Sequence, residues 1–249
     1  MINRTPYYLP QREHIVAMWS LEERDATIRR SSLDYNHLSN IHGSVQRVKG
    51  VIGNAIRIEN GGDYLTTRNT PGINITGEMT ISARFNISLR PTEYLPYFFL
   101  LGKFGDAEDC FELWLWWYGT PTYTKPCVFF EITNSVGATY GRIYDSGGHI
   151  NLNTWHHAIM TLRLETGILV PYLFIDNNPI NIHTDYGTPI DNIKNVNVPL
   201  LVGNISYGTD YFPGCIDEVI LWDVALINDE ITNVFDLTYK PVQNKSSII

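Results

Sequence analysis

Residues 80–85 read Thr80-Ile81-Ser82-Ala83-Arg84-Phe85, and their alternation decides the fold. Ile81, Ala83 and Phe85 fall on one side of an extended chain and Thr80, Ser82 and Arg84 on the other, because successive side chains of a strand point to opposite faces. The same period recurs on both sides of this stretch. Downstream, Phe111, Leu113, Leu115 and Trp117 alternate with Glu112, Trp114, Trp116 and Tyr118, and Val128, Phe130 and Ile132 resume the pattern beyond a Gly/Pro/Thr loop. That arrangement predicts a long hairpin. His156, Ala158, Met160 and Leu162 alternate with His157, Ile159, Thr161 and Arg163. Tyr172 to Ile175 runs into Asp176-Asn177-Asn178, residue types that tolerate the left-handed backbone of a tight turn. Short strands punctuated in this way predict an all-β sandwich. One stretch departs from the pattern. After Leu226, Asn228 can cap a helix, Asp229 and Glu230 put acid in its first turn, and Ile231, Val234 and Phe235 form an apolar stripe. A single short helix on the sandwich edge is expected there.

The chain has 249 residues, of which 44% are hydrophobic and 12% aromatic, enough for a large core in one domain. No window approaches the ~18 uninterrupted apolar residues of a membrane helix. A net charge of -8 opposes nucleic acid and anionic membrane surfaces as partners. Cys110, Cys127 and Cys215 lack the close spacing of a zinc or redox motif and read as buried free thiols. The expected organisation is an extended arm over residues 1–14, one domain over 15–239 and a polar tail over 240–249. The opening residues carry charge and proline where a secretory leader needs an apolar run.

Several segments, in order, resemble the laminin-G-like, concanavalin A-like lectin/glucanase family of jelly rolls. Ile15-Val16-Ala17-Met18-Trp19-Ser20-Leu21 followed by Glu22 resembles the family's first strand, and Ser32-Leu33-Asp34-Tyr35-Asn36-His37-Leu38 its following loop. Val51-Ile52-Gly53-Asn54-Ala55 through Asn60-Gly61-Gly62-Asp63-Tyr64-Leu65 is similar to the family's "G-x-x-G-N-A-x-x-F-x-G-x-x-D-Y-L" and is the most specific match. Phe212-Pro213-Gly214-Cys215-Ile216-Asp217-Glu218-Val219-Ile220-Leu221-Trp222 resembles the closing motif. The resemblance implies a two-sheet antiparallel jelly-roll sandwich whose first and last motifs lie together. It also implies a structural calcium ion near the joined termini, with Asp34, Asn60, Asp63 and Asp217 in the matching motifs. Hard oxygen donors of this kind suit calcium. The alternative reading is that Asp63 and Asp217 cap turns through backbone hydrogen bonds.

The family's glucanase strand, "E-x-D-x-x-E", which places two carboxylates against one sugar ring, has no counterpart. Glu108 and Asp109 are adjacent, as are Asp217 and Glu218, so on a strand each pair diverges. His156 and His157 have no further ligand at metal spacing, and no G-x-S-x-G elbow occurs, so no catalytic residues are assigned and no enzyme is expected. If Phe111, Leu113 and Leu115 face the core, Glu112, Trp114, Trp116 and Tyr118 face outward beside Phe129 and Glu131. That places an aromatic patch on the surface, suited to sugar rings, another protein or a second copy in a homo-oligomer. Trp114, Trp116, Tyr118 and Tyr123 are the candidate ligand-binding residues. Alternatively, a loop bearing Tyr123, or the Tyr140 to Tyr144 segment, covers the patch. The expected function is a non-catalytic recognition or structural module on a virion surface, in a capsid, fibre or tail, binding host glycan or virion proteins. A secreted or cell-surface lectin-like module of a polysaccharide-active system is the alternative.

Overall fold

The structure, a computed structural model, describes residues 9–23, 29, 31, 36–68, 70–89, 97–103, 110–116, 126–136, 139–145, 148–187, 190–205 and 210–239. Among these the strands, in chain order, are β1 (Ile15–Trp19), β2 (Leu38–His42), β3 (Gln46–Lys49), β4 (Asn54–Ile58), β5 (Tyr64–Thr67), β6 (Met79–Ile87), β7 (Tyr97–Lys103) and β8 (Phe111–Trp116). They continue as β9 (Cys127–Thr133), β10 (Thr139–Asp145), β11 (Trp155–Glu165), β12 (Ile168–Ile175), β13 (Asn178–Ile180), β14 (Ile182–Tyr186), β15 (Leu200–Val202) and β16 (Gly214–Trp222), before helix α1 (Asn228–Tyr239). They form two eight-stranded antiparallel sheets. Sheet A has the order β13-β12-β11-β6-β16-β4-β3 with β1 also on β16, and sheet B the order β14-β10-β9-β8-β7-β15-β5-β2. The jelly-roll expectation holds, and so does the pairing of the first and last motifs, with Trp19 opposite Val219 and Met18 opposite Ile220.

Strand β6 lies at the centre of sheet A, paired with β11 and β16. Ile81, Ala83 and Phe85 enter the core between the sheets, where Phe111, Leu113 and Leu115 of β8 and Val128, Phe130 and Ile132 of β9 meet them from sheet B. The hairpin turn after β12 also forms as its sequence indicates, with Asp176 and Asn177 at φ 51° and 66°.

The helix lies elsewhere than expected. It does not sit on an edge but covers the outer face of sheet A, where Ile231 and Val234 pack with Ile159, Ile220, Trp222 and Met18. The polar side of β6 is therefore buried as well. Its side chains anchor the segment leading into the helix and the helix itself: Thr80 Oγ1 donates to the Val224 carbonyl and accepts from the Leu226 N–H, and Arg84 donates to the Phe235 carbonyl with its guanidinium over the Phe235 ring. Asn228 begins the helix rather than capping it; Glu230 Oε2 reaches back to accept the Ile227 N–H, as the third residue of a capping box does. The stretch read as an extended arm is, from Leu9 on, tied to the domain. Trp222 Nε1 donates to the Pro10 carbonyl, Gln11 Nε2 to Glu230, and Arg12–His14 forms a 3-10 turn.

The long strand β16 has β6 on one side and two short strands sharing its other side. Gly214 to Ile216 pair with β4, whereas Val219 to Trp222 pair with β1. At the junction lies a bulge between Asp217 and Ile220, with Glu218 at φ 48°. The turn at 50–54 and the end of β1 meet here, and two carboxylates receive their backbone donors. Asp217 accepts from Val51, Ile52 and Glu218, and Glu22 accepts from the Asn54 N–H and its side-chain amide. Glycines make the approach possible: a Cβ on Gly50 would fall on Asp217 Oδ2, and one on Gly53, at φ 69°, on the Glu22 carboxylate. Gly53→Ala is therefore expected to lose about 2 kcal/mol or more in urea unfolding. Gly62→Ala, whose Cβ would meet nothing within 4 Å, should stay within about 0.5 kcal/mol. Equal stability of the two variants would show that the carboxylates do not constrain this turn.

Candidate functional site

The outer face of sheet B carries a second apolar layer, separate from the core. Alternation along β8 and β9 turns Trp114, Trp116, Cys127 and Phe129 outward, where they pack with Phe99, Leu201 and Ile205 and with half-buried Tyr64 and Tyr97. Phe99 joins this layer while Phe98 and Leu101 face the core, because β7 is bulged between Phe99 and Leu101. The rings meet edge to face or offset: Phe99 and Trp114 at 5.0 Å and 83°, Trp114 and Phe129 at 5.9 Å and 3°, Tyr97 and Trp116 at 5.9 Å and 15°. Glu112 Oε2 accepts the Trp114 indole N–H at 2.6 Å.

The outward direction of Trp114 and Trp116 is as the sequence indicates, but their exposure is not. They are 7% and 9% exposed, so the open aromatic platform is replaced by a packed layer. The physical reason is area: each such side chain left in water costs about 1.5–3 kcal/mol. Tyr118 and Tyr123 lie outside the described residues, as do the side chains of Tyr140 and Tyr144. Accessible rings occur at the margin. Tyr97 is half-buried, and His42 stacks on Tyr64 at 4.0 Å with 6° between planes, both rings partly open to solvent. None of these three stood out in the sequence, although Tyr64 alternates with core-facing Leu65 in the most specific motif and so had to face outward.

Of the expected calcium ligands, Asn60 and Asp63 meet, but Asp217 stands apart from them. Asp34 lies outside the described residues. Asp63 Oδ2 accepts from the Glu59 and Asn60 N–H groups and the Asn60 side chain, and its Oδ1 from the Ser44 N–H. Asp217 serves the turn at 50–54, at the start of β4, whereas Asp63 serves the turn beyond its end. Four residues of strand separate these turns, about 13 Å, against the 2.3–2.6 Å bonds of a shared calcium. Both carboxylates face N–H donors, which a cation would repel, and no three His, Cys, Asp or Glu among the described residues gather as a metal group. Calcium does not fit the described members of this donor set.

The adjacent histidines of β11 point to opposite faces. His156 Nδ1 lies 2.7 Å from Asp176 Oδ2, and its Nε2 is taken by the backbone of Asn151. His157 Nε2 lies 2.6 Å from Ser82 Oγ on the other face, stacked against Phe235 of the covering helix. Burial, with Arg84 nearby, drives His157 well below its ordinary value and keeps it neutral. The acid–His and His–Ser halves of a nucleophile relay thus sit on different residues and do not join. Cys110, Cys127 and Cys215 are free, and burial pushes the Cys110 thiol up to about 12, so at neutral pH it is inert.

Residues 59–232 match the laminin-G family described as the concanavalin A-like lectin/glucanases superfamily. The chain belongs to that family. No curated protein sequence matches it. Among solved structures, this laminin-G-like chain is similar to the binding domain of Paraclostridial Mosquitocidal Protein 1, at 18% identity and a TM-score of 0.64, covering 90% of this chain and 52% of that one. It is similar to domain 4 of AbnA, a GH43 extracellular arabinanase from Geobacillus stearothermophilus in complex with arabinotriose, at 16% identity and a TM-score of 0.58, covering 88% and 97%. The botulinum neurotoxin serotype D ligand binding domain in complex with N-acetylneuraminic acid matches at 14% and 0.63, covering 90% and 51%. The chain spans about half the length of the toxin domains it matches.

Two outcomes follow for the laminin-G-like fold. Burial, and the Glu22 carboxylate beside it, push Asp217 up to about 7 against the pull of its N–H donors. The native state then holds this proton more tightly than the unfolded chain between about pH 4 and 7, so stability is fullest below that window and falls as pH rises through it. Urea midpoints measured across pH 4 to 8 should show this decline, and Asp217→Asn should remove that component of the slope. Melting temperatures in millimolar calcium and in excess chelator should coincide; a rise of several degrees with calcium would overturn the donor-set argument.

Proposed function

We propose that this domain is a non-catalytic binding module whose ligand is a glycan, held at the aromatic margin of sheet B. The observation that carries this reading is the ring layer on the outer face of that sheet, packed at its centre and partly open at Tyr97, Tyr64 and His42. A rigid layer of this kind presents flat apolar faces to the C–H surface of a sugar without ordering costs at the moment of binding. Family membership and two neighbours solved with arabinotriose and N-acetylneuraminic acid support the same ligand class. The setting in keeping with this reading is extracellular: the surface of a virion, or a secreted protein. No helix among the described residues is long and apolar enough to cross a membrane.

Docking on another protein, in a virion or in a homo-oligomer, is the second reading, favoured by the same apolar margin. A glycan array followed by titration calorimetry separates the two. Binding of an oligosaccharide that Tyr97→Ala or Tyr64→Ala weakens tenfold or more, with folding retained, is the expected result. No glycan binding, together with a concentration-dependent dimer in sedimentation, would overturn the glycan reading and favour the protein one.

A further inference from the structure

Beneath helix α1 an imidazole is closed in. His157 of β11 is 1% exposed on the outer face of sheet A. The Phe235 ring of the helix lies over it at 5.7 Å and 22°, and its Nε2 is engaged by Ser82 Oγ at 2.6 Å. Nδ1 has neither solvent nor a hydrogen-bond partner among the described residues. A neutral ring leaves one nitrogen unmet there, but a protonated ring adds a buried charge and an N–H that nothing receives.

The charge set against the ring has the same sign. Arg84 stands directly opposite His157 across the β6–β11 pair, its guanidinium over Phe235 and bonded to the Phe235 carbonyl, and like charges in opposite positions repel. Asp217 lies opposite Arg84 on β16 but accepts the N–H groups of Val51, Ile52 and Glu218, and buried Glu218 follows it in the bulge. Asp176, in the turn after β12, is held by His156 and by the backbone N–H of His157. On the helix, Asp229 and Asp236 are exposed, and Glu230 is engaged by Gln11 and the Ile227 N–H. Burial and Arg84 together hold the ring neutral well below the range in which a free histidine titrates.

We propose that His157 makes the seat of helix α1 acid-sensitive: a proton on its imidazole and the docked helix exclude each other, so acidification favours a state in which the helix has lifted from sheet A. Once water reaches the ring, it titrates at its ordinary value of about 6.5. Docking is therefore at full strength above that pH and weakens about tenfold per unit as pH falls below it, until the docked ring itself takes the proton. Asp217 acts with the opposite sign, so loosening in acid does not originate there. His14 pairs with Asp223 at the surface beside the helix, and a proton on it strengthens that pair. The lifted helix uncovers an apolar strip of Ile159, Phe174, Ile220 and Trp222.

Hydrogen exchange of the helix amides in the intact chain, corrected for the intrinsic effect of pH, reads this opening separately from global unfolding. Between pH 7 and pH 5 the protection of the helix is expected to fall about 25-fold, while that of β8 and β9 in sheet B holds. His157→Gln, which can bond Ser82 without titrating, should remove the fall, and His157→Phe serves as the neutral control should that variant not fold. An apolar dye should gain fluorescence at pH 5 with the unaltered chain and not with the neutral variant. A loss of protection confined to the helix and absent from the neutral variant upholds the proposal. Unchanged helix protection at pH 5, an equal loss throughout both sheets, or a fall that persists in the neutral variant overturns it.

Discussion

The fold depends on how one strand manages two neighbours on the same side. Along most of a sheet the N–H groups on one side of a strand are satisfied by a single partner, but β16 exchanges β4 for β1 halfway along, and at the exchange neither supplies donors and acceptors in register. Buried backbone groups left unpaired there would cost about 1–3 kcal/mol each. Asp217 and Glu22 stand in for the missing strand: between them they accept the N–H groups of Val51, Ile52, Glu218 and Asn54. The bulge with its left-handed Glu218, and the glycines at 50 and 53, follow from fitting two carboxylates into a space built for a sheet. The beginning and end of the domain are locked together at this point.

Once sheet A is closed in this way, its outer face needs a cover and its polar residues need partners, and one element supplies both. The helix brings Ile231 and Val234 onto an apolar patch, while Thr80 and Arg84 take carbonyls and an N–H from the helix and the segment before it. Sheet B has no helix among the described residues, and its outer face is filled by rings instead. The two faces are thus unequal. Sheet A is closed by the helix, whereas at the margin of sheet B the rings of Tyr97, Tyr64 and His42 are partly open to solvent.

Much of this was legible in the sequence, and the reason is geometric. A period of two assigns a side chain to a face, so Ile81 against Ser82 and Leu113 against Trp114 could be sorted without coordinates. The period says nothing about whether a face is then covered. Trp114 and Trp116 therefore read as surface although they are packed, and nothing in the alternation of Thr80, Ser82 and Arg84 indicates that their face is buried beneath a helix. The motif resemblance found the residues at the junction and left two readings of their work, a cation site or a cap on turn N–H groups, and the carboxylates of Asp217 and Asp63 accept backbone N–H groups as the second has it. The stacked rings of His42 and Tyr64 gave no signal, since only the pairing of β2 with β5 brings them together.

That pairing also fixes the open rings. His42 and Tyr64 are opposite each other at one end of the β2–β5 pair. By the period of two, Tyr64 and Thr66 fall on the same side of β5, the side away from core-facing Leu65. The sheet therefore holds the stacked rings in place before any contact is made, and a partner that meets them does not carry the cost of ordering them.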